Sequence, residues 1–217
     1  RGLDVVGTVR DTARASALLE AADEAGVSVS IAELEVTDPA AGDRLAAIAA
    51  EHDGIDVLIN NAGRGCVGTA EDLTMDEIEA QLAVNYLGPV RLTKAVLPGM
   101  RERHTGTVVM VGSMLSSFPV AFRSNYAATK SALKAFALAS RRELAPYGIR
   151  MISVEPGTIA TGIGDRRSIH IGDDSPYRAE YETLAAATRR NEDAGISAAS
   201  MATQIVDAAL AEHPKPF

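Results

Sequence analysis

The sequence predicts an α/β protein, a doubly wound parallel sheet flanked by helices on both faces. Three observations carry this expectation. Short β-branched apolar runs alternate with stretches of helical length between residues 3 and 154. The runs are nearly continuous in apolar character, as strands covered on both faces must be. The helical stretches begin and end on capping and breaking residues. Strands that alternate with helices are joined by right-handed crossovers, which make neighbouring strands parallel and place ligands beyond their carboxyl ends.

Taken in order, residues 3–9 (LDVVGTV) read as the first strand. Asp11 or Thr12 can cap a helix through Ala25, which Gly26 ends in a left-handed conformation. Residues 27–36 supply the next strand, and Asp38-Pro39 opens a helix to Glu51. Residues 55–59 form a buried strand; Thr74-Met-Asp-Glu77 is a capping box that starts a long helix to Arg103, bent at Gly88-Pro89. Strand 107–111, an Ala-rich helix 124–145 ended by Pro146 and Gly148, and strand 149–154 follow. Residues 162–175 are polar and rich in Gly and Asp, and helices near 176–191 and 198–212 close the sequence. The region of about 160–195 is expected to act as a lid or substrate loop.

With 217 residues, 47% of them hydrophobic, one core suffices, so 1–217 reads as a single domain. A formal net charge of −8 repels the phosphates of nucleic acid and of anionic membranes, leaving small molecules as the expected partners. Cys66 is the single cysteine, which fits a reducing compartment and a cytoplasmic address. No apolar run approaches the roughly 20 residues of a membrane span, and there is no signal-peptide pattern. The sequence begins Arg1-Gly2 and enters an apolar stretch at once, so a longer natural chain is expected.

Tyr126 and Lys130 are four residues apart on a helix and project from one face. A nearby ammonium favours the phenolate and lowers a phenol pKa. Reduction of a carbonyl leaves an alkoxide that must be protonated, and such a tyrosine can supply the proton. Alone the pair is an ordinary helix contact. Ser113 strengthens it by ending strand 107–111 at the edge where a parallel sheet holds its ligand.

Ser113, thirteen residues before Tyr126-Ala-Ala-Thr-Lys130, resembles the active-site core of the short-chain dehydrogenase/reductase family. Asn60-Asn-Ala-Gly63, Asn85-Tyr-Leu-Gly88 and Pro156-Gly157 match further motifs of that family in order and spacing. The general run, including Val154-Glu-Pro-Gly157 and Ser175-Pro-Tyr177, is most similar to hydroxysteroid-dehydrogenase-like members. The resemblance implies a Rossmann-like, dinucleotide-binding catalytic domain. It implies Tyr126 as general acid or base, Lys130 lowering its pKa and holding the nicotinamide ribose, and Ser113 orienting the substrate oxygen. Asn85 would hold a water that links Lys130 to solvent. Asn61, Ala62, Gly63, Pro156, Gly157, Ile159 and Thr161 would contact the cofactor, and Leu115 the substrate, together with Ser113 and Tyr126. Phe118 and Phe122 are further residues beyond Ser113 on which the substrate would bear. No metal is implied. Family members pair as homodimers or homotetramers through the two long helices.

An acidic residue at the end of the second strand of that fold would select NAD(H), whereas Arg suits the additional phosphate of NADP(H). Here Val9 takes the acid's place and Arg10 follows, so NADP(H) is expected, with NAD(H) the alternative. Glu35-Val36 stands where the family places Asp-Val against the adenine. The sequence holds no Gly-x-x-x-Gly-x-Gly turn, the family's pyrophosphate cradle, and Gly112 replaces a common Ser. The expected function is an NADP(H)-dependent oxidoreductase acting on a ketone or secondary alcohol, an apolar one by its hydroxysteroid-like run. The alternatives are a catalytically idle NADP(H)-binding relative that serves as sensor or scaffold, and a nonenzymatic assembly domain.

Overall fold

A computed structural model describes residues 2–160 and 167–211. Its elements are β1 (Val6–Val9), α1 (Ser16–Glu24), β2 (Ser30–Glu33), α2 (Ala41–Glu51), β3 (Val57–Asn60), β4 (Cys66–Gly68), α3 (Met75–Leu82), α4 (Gly88–Arg103) and β5 (Gly106–Val111). They continue with α5 (Ser124–Leu144), β6 (Ile149–Val154), β7 (Ile159–Ala160), β8 (Ser168–His170), α6 (Arg178–Asp193), β9 (Ile196–Ser197) and α7 (Ala198–Leu210).

Every strand pairing is parallel, as the alternation of elements predicts. The strands do not form one sheet, however. β1 pairs with β2, while β3, β5 and β6 make a separate sheet in that order. No pairing among the described residues joins β1 to β3, the position for which the family resemblance puts a strand absent from this sequence.

β5 shows why its apolar run is continuous. Val108 and Met110 belong to a core with Leu45, Leu92, Met100 and Leu133 from α2, α4 and α5, whereas Val109 packs on the opposite face with Met201 and Ile205 of α7. Successive strand residues point to opposite faces, so a strand covered on both sides must be apolar at every position.

Several expected boundaries moved for local reasons. Asp11 accepts the Ala13 N–H at 3.0 Å and caps a 3₁₀ turn, Thr12–Arg14, before α1 starts. Asp38 accepts the Ala40 N–H at 2.8 Å, which tightens the backbone into a turn and delays α2 to Ala41. Thr74 caps α3 by accepting the Glu77 N–H, and Gly26 has a φ of +65°, both as expected. The bend foreseen at Gly88-Pro89 is a π turn over Ala83–Leu87. Pro89 has no N–H to offer the carbonyl one turn back, and a Cβ on Gly88 would lie 3.0 Å from Val36, so the helix widens where it crosses that loop. Within the polar stretch 162–175, β8 pairs with β4 in a register of Cys66 to Ser168. The first strand keeps only Val6–Val9 of residues 3–9, and the second only Ser30–Glu33 of residues 27–36. Among the described residues no helix is long and apolar enough to cross a membrane.

Two glycines separate strain from space. Gly148 has a φ of +70°, and a Cβ there would lie 2.3 Å from the His104 carbonyl oxygen, whereas Gly26, at +65°, faces nothing within 4 Å. Gly26→Ala should cost about 1 kcal/mol, the ordinary penalty of a left-handed L-residue. Gly148→Ala should cost clearly more, because backbone must move as well. Equal losses in urea unfolding of the two variants would contradict this account.

Candidate active site

Asn85 sits in the π turn with no exposed surface. Its Oδ1 accepts the Arg64 N–H at 2.8 Å, and its Nδ2 donates to the Arg64 carbonyl and to Thr129 Oγ1, each at 3.1 Å. Both amide protons are therefore used inside the protein. The side chain acts as a clamp on the turn after β3. Thr129 in turn donates to the Tyr126 carbonyl at 2.8 Å, which ties the clamp to the helix carrying Tyr126.

Lys130 is buried on α5, and its Nζ donates to the Val111 carbonyl at the end of β5 at 2.8 Å. It stands 5.9 Å from the centre of the Tyr126 ring. Burial pulls the ammonium down to about 8. A Cβ on Gly63 would lie 3.7 Å from both Lys130 Nζ and Asn85 Oδ1, so the exposed turn Asn61, Ala62 and Gly63 passes directly over the lysine.

Ser113 is buried at the end of the strand and accepts the Leu115 N–H at 3.2 Å. That bond aims its hydroxyl outward while leaving its proton to donate. Leu115 thus contributes a backbone group, and its side chain is half-buried. Glu155 holds the turn after Ser113 in place by accepting from Ser116 at 3.1 Å, Ser117 at 3.3 Å and Lys134 at 2.9 Å. Pro156 accepts the Met114 N–H at 2.9 Å, which brings Pro156 and Gly157 beside Ser113.

Burial raises the Tyr126 phenol pKa above its ordinary value, and this is the dominant influence. A hydrogen bond with Ser113, then the charges of Arg123 and Arg167, work against it. Ser113 and the two arginines are thus the groups that hold the phenol back from a larger rise. The lysine ammonium is held back on a backbone carbonyl, and burial weakens its charge.

Both arginines escaped the sequence analysis. Arg123 stands one helical turn before Tyr126, a spacing that places the two on one face. Arg167 follows residues 161–166 and carried no local signal. They line a cleft of about 610 Å³ together with Phe122, Ile159, Tyr181 and Leu184. Phe122, half-buried, meets Tyr181 edge-on at 5.7 Å, whereas Phe118 is 68% exposed.

At the far end of the sheet, Arg10 is 72% exposed and its Nε lies 4.0 Å from Glu35. Glu35 also accepts the Thr37 N–H and hydroxyl. Val36 packs against the core beside Gly88. Thr161 lies outside the described residues. Cys66, Glu77 and His170 bring potential metal-ligand atoms within 4.8 Å of one another. Glu77 is already 2.5 Å from Arg64, so a cation holds that carboxylate.

A parallel α/β arrangement with these groups beyond the carboxyl ends of its strands defines a Rossmann-like protein. The family model described as short chain dehydrogenase matches residues 1–170. The chain belongs to the short-chain dehydrogenase family. It is 39% identical to human retinol dehydrogenase 8 over 159 residues, 72% of this chain and 50% of that protein. It is 35% identical to the NADP-dependent 3-hydroxy acid dehydrogenase YdfG of Escherichia coli over 190 residues, 87% of this chain and 75% of that one. A solved short-chain dehydrogenase from Streptomyces avermitilis is similar with a TM-score of 0.81 and 33% identity, covering 99% of this chain and 77% of that one. The chain therefore spans from half to about three-quarters of the length of these relatives.

The buried lysine makes stability depend on pH. Its folded pKa of about 8 lies below the ordinary 10.5, so between those values the unfolded chain binds more protons and stability rises with pH. Relative to Lys130→Met, the wild-type chain should gain about 3 kcal/mol between pH 8 and pH 10.5. Urea unfolding across that range measures it. A flat difference between the two proteins would show that the ammonium is solvated in the folded state.

Proposed function

We propose that this chain interconverts a ketone and a secondary alcohol with NADP(H) as the hydride carrier and Tyr126 as general acid or base. The observation that carries the reading is the convergence of Ser113, Tyr126, Lys130 and Gly63 at the ends of β3 and β5. When bound, the nicotinamide supplies or accepts the hydride. The residues present fit its ribose side: Asn61, Ala62 and Gly63 are exposed, and Gly63 lacks a side chain where one would crowd Lys130 and Asn85. Lys130 would hold the ribose, with Pro156, Gly157 and Ile159 toward the nicotinamide and Glu35 and Val36 toward the adenine.

In the reducing direction Tyr126 donates its phenolic proton to the carbonyl oxygen as alkoxide character develops, and in oxidation it takes the proton back. Ser113 donates a hydrogen bond to the same oxygen, stabilising the developing charge. A phenol raised only by burial would be a reluctant proton donor; Ser113, Arg123 and Arg167 oppose part of that rise.

Arg10 supports NADP(H) over NAD(H), since its exposed guanidinium is available to a phosphate and a neighbouring carboxylate, Glu35, disfavours a bare anion without it. The YdfG relative is named for NADP and 3-hydroxy acids, and the human relative for retinol. These names leave an acidic and an apolar substrate both open.

Tyr126→Phe should lower kcat/KM by at least about 100-fold with NADPH binding retained, read as a thermal shift. Full activity in that variant would refute the acid-base role. Tight NADPH binding with no turnover of any ketone by the wild type would favour the idle relative instead. Arg10→Ala should narrow the NADPH to NADH preference about tenfold, the equivalent of one charge-assisted hydrogen bond. An unchanged ratio would remove Arg10 from the phosphate site.

A further inference from the structure

The cleft beside Tyr126 holds more positive charge than it can neutralise. Arg167 pairs with Glu192, both side chains being largely buried. The Arg123 guanidinium makes no hydrogen bond or close ion pair to a described residue, although it is half-buried and the Glu192 charge acts on it from farther off. Arg167 Nε is also buried without a partner among the described residues. The remaining charged residues lining the cleft, Arg189 and Asp193, cancel in sign, so among the described residues its charged lining sums to one excess cation in a chain whose formal charge is −8. An unpaired, partly desolvated guanidinium is unfavourable unless an anion meets it. Burial and the like charge of Arg167 both pull the Arg123 pKa down, to about 10, which reports the same crowding.

We propose that Arg123, with Arg167 beside it, binds a carboxylate of the substrate one helical turn from Tyr126, so that the substrate is an oxo or hydroxy acid. This rests on the acid-base reading of Tyr126 for the position of the reacting carbon. A guanidinium presents paired N–H donors that match a carboxylate bidentately, which an ester or amide does not. Arg123 immediately precedes α5, three residues before Tyr126, and its charge acts on the Tyr126 phenol, so a carboxylate held there stands near the reacting carbonyl. Phe122, Ile159 and Leu184 leave room for a short apolar chain on the same substrate. The apolar ketone expected from the sequence is thereby replaced by an amphiphilic acid.

The test compares 3-oxobutanoate with its methyl ester at saturating NADPH, in wild type, Arg123→Gln and Arg123→Lys. Loss of a charge from the cleft shifts the Tyr126 phenol for both substrates alike, so the ratio of their kcat/KM values isolates carboxylate binding. The wild type should prefer the acid at least tenfold, Arg123→Gln should lose at least tenfold of that preference, and Arg123→Lys should regain part of it. A wild type that takes the ester as well as the acid, or an Arg123→Gln ratio equal to wild type, overturns the proposal. If neither compound is turned over, the function proposed for Tyr126 fails, and calorimetry with 3-hydroxybutanoate and no cofactor decides the subsite separately. Saturable binding to wild type that Arg123→Gln loses upholds it; equal binding to both, or binding to neither, overturns it. Melting temperatures show whether Arg123→Gln folds, and if it does not, Arg123→Lys against wild type gives the same ratio.

Discussion

The Asn85 amide is enclosed, and a buried polar group left unmet costs about 1–3 kcal/mol, so its donors and acceptor have to find partners inside the protein. It finds them on two separate pieces of chain: both backbone groups of Arg64, and the hydroxyl of Thr129. Each partner fixes something the site needs. Arg64 fixes the turn Asn61–Gly63 over the lysine, and Thr129 fixes the register of α5, because residues 126, 129 and 130 share one face of that helix. The π turn serves the same end. It arises where Pro89 removes a helical hydrogen bond, and it is where the Asn85 side chain reaches the turn after β3.

Charge is distributed to complement this clamp. Lys130 lies in the most buried part of the site, where its ammonium is held by a strand-end carbonyl and weakened by desolvation. The fully charged groups stand farther out, on Arg123 and Arg167, where the cleft opens. Tyr126 lies between these two environments. Burial pushes its proton on, and Ser113 and the two arginines push it off, so the phenol sits among opposed influences.

The parts of this arrangement that were legible in the sequence were those set by neighbours in the chain. The Thr74 cap, the left-handed Gly26 and the apolar run of β5 are decided within a few residues, and each was readable. Strand ends were over-extended because residues 3–5 and 27–29 have strand-like side chains, yet the ladder between β1 and β2 starts only at the Val5 carbonyl, which accepts the Ser30 N–H at 2.9 Å. The pairing of β4 with β8 was missed because each is three residues long and the two are about a hundred residues apart. Lys130 was placed correctly on the face of Tyr126, but helix spacing says nothing of where a flexible ammonium ends. That was decided by the Val111 carbonyl.

The same division separates chemistry from selection within the site. Tyr126, Thr129 and Lys130 share one helix, and their spacing is guaranteed by its geometry whatever surrounds it. Arg123 immediately precedes that helix, and its environment comes from Arg167, Glu192 and Tyr181, contributed by segments that follow β7. Changes in those segments can alter which substrate meets Arg123 without moving the phenol, because Asn85 and Thr129 anchor α5 from the opposite side. The lining of the cleft is therefore encoded at a distance, in residues that no local pattern marks, while the face shared by Tyr126, Thr129 and Lys130 is encoded in five contiguous residues. An arrangement built this way can keep that face in place while the cleft beside it diverges.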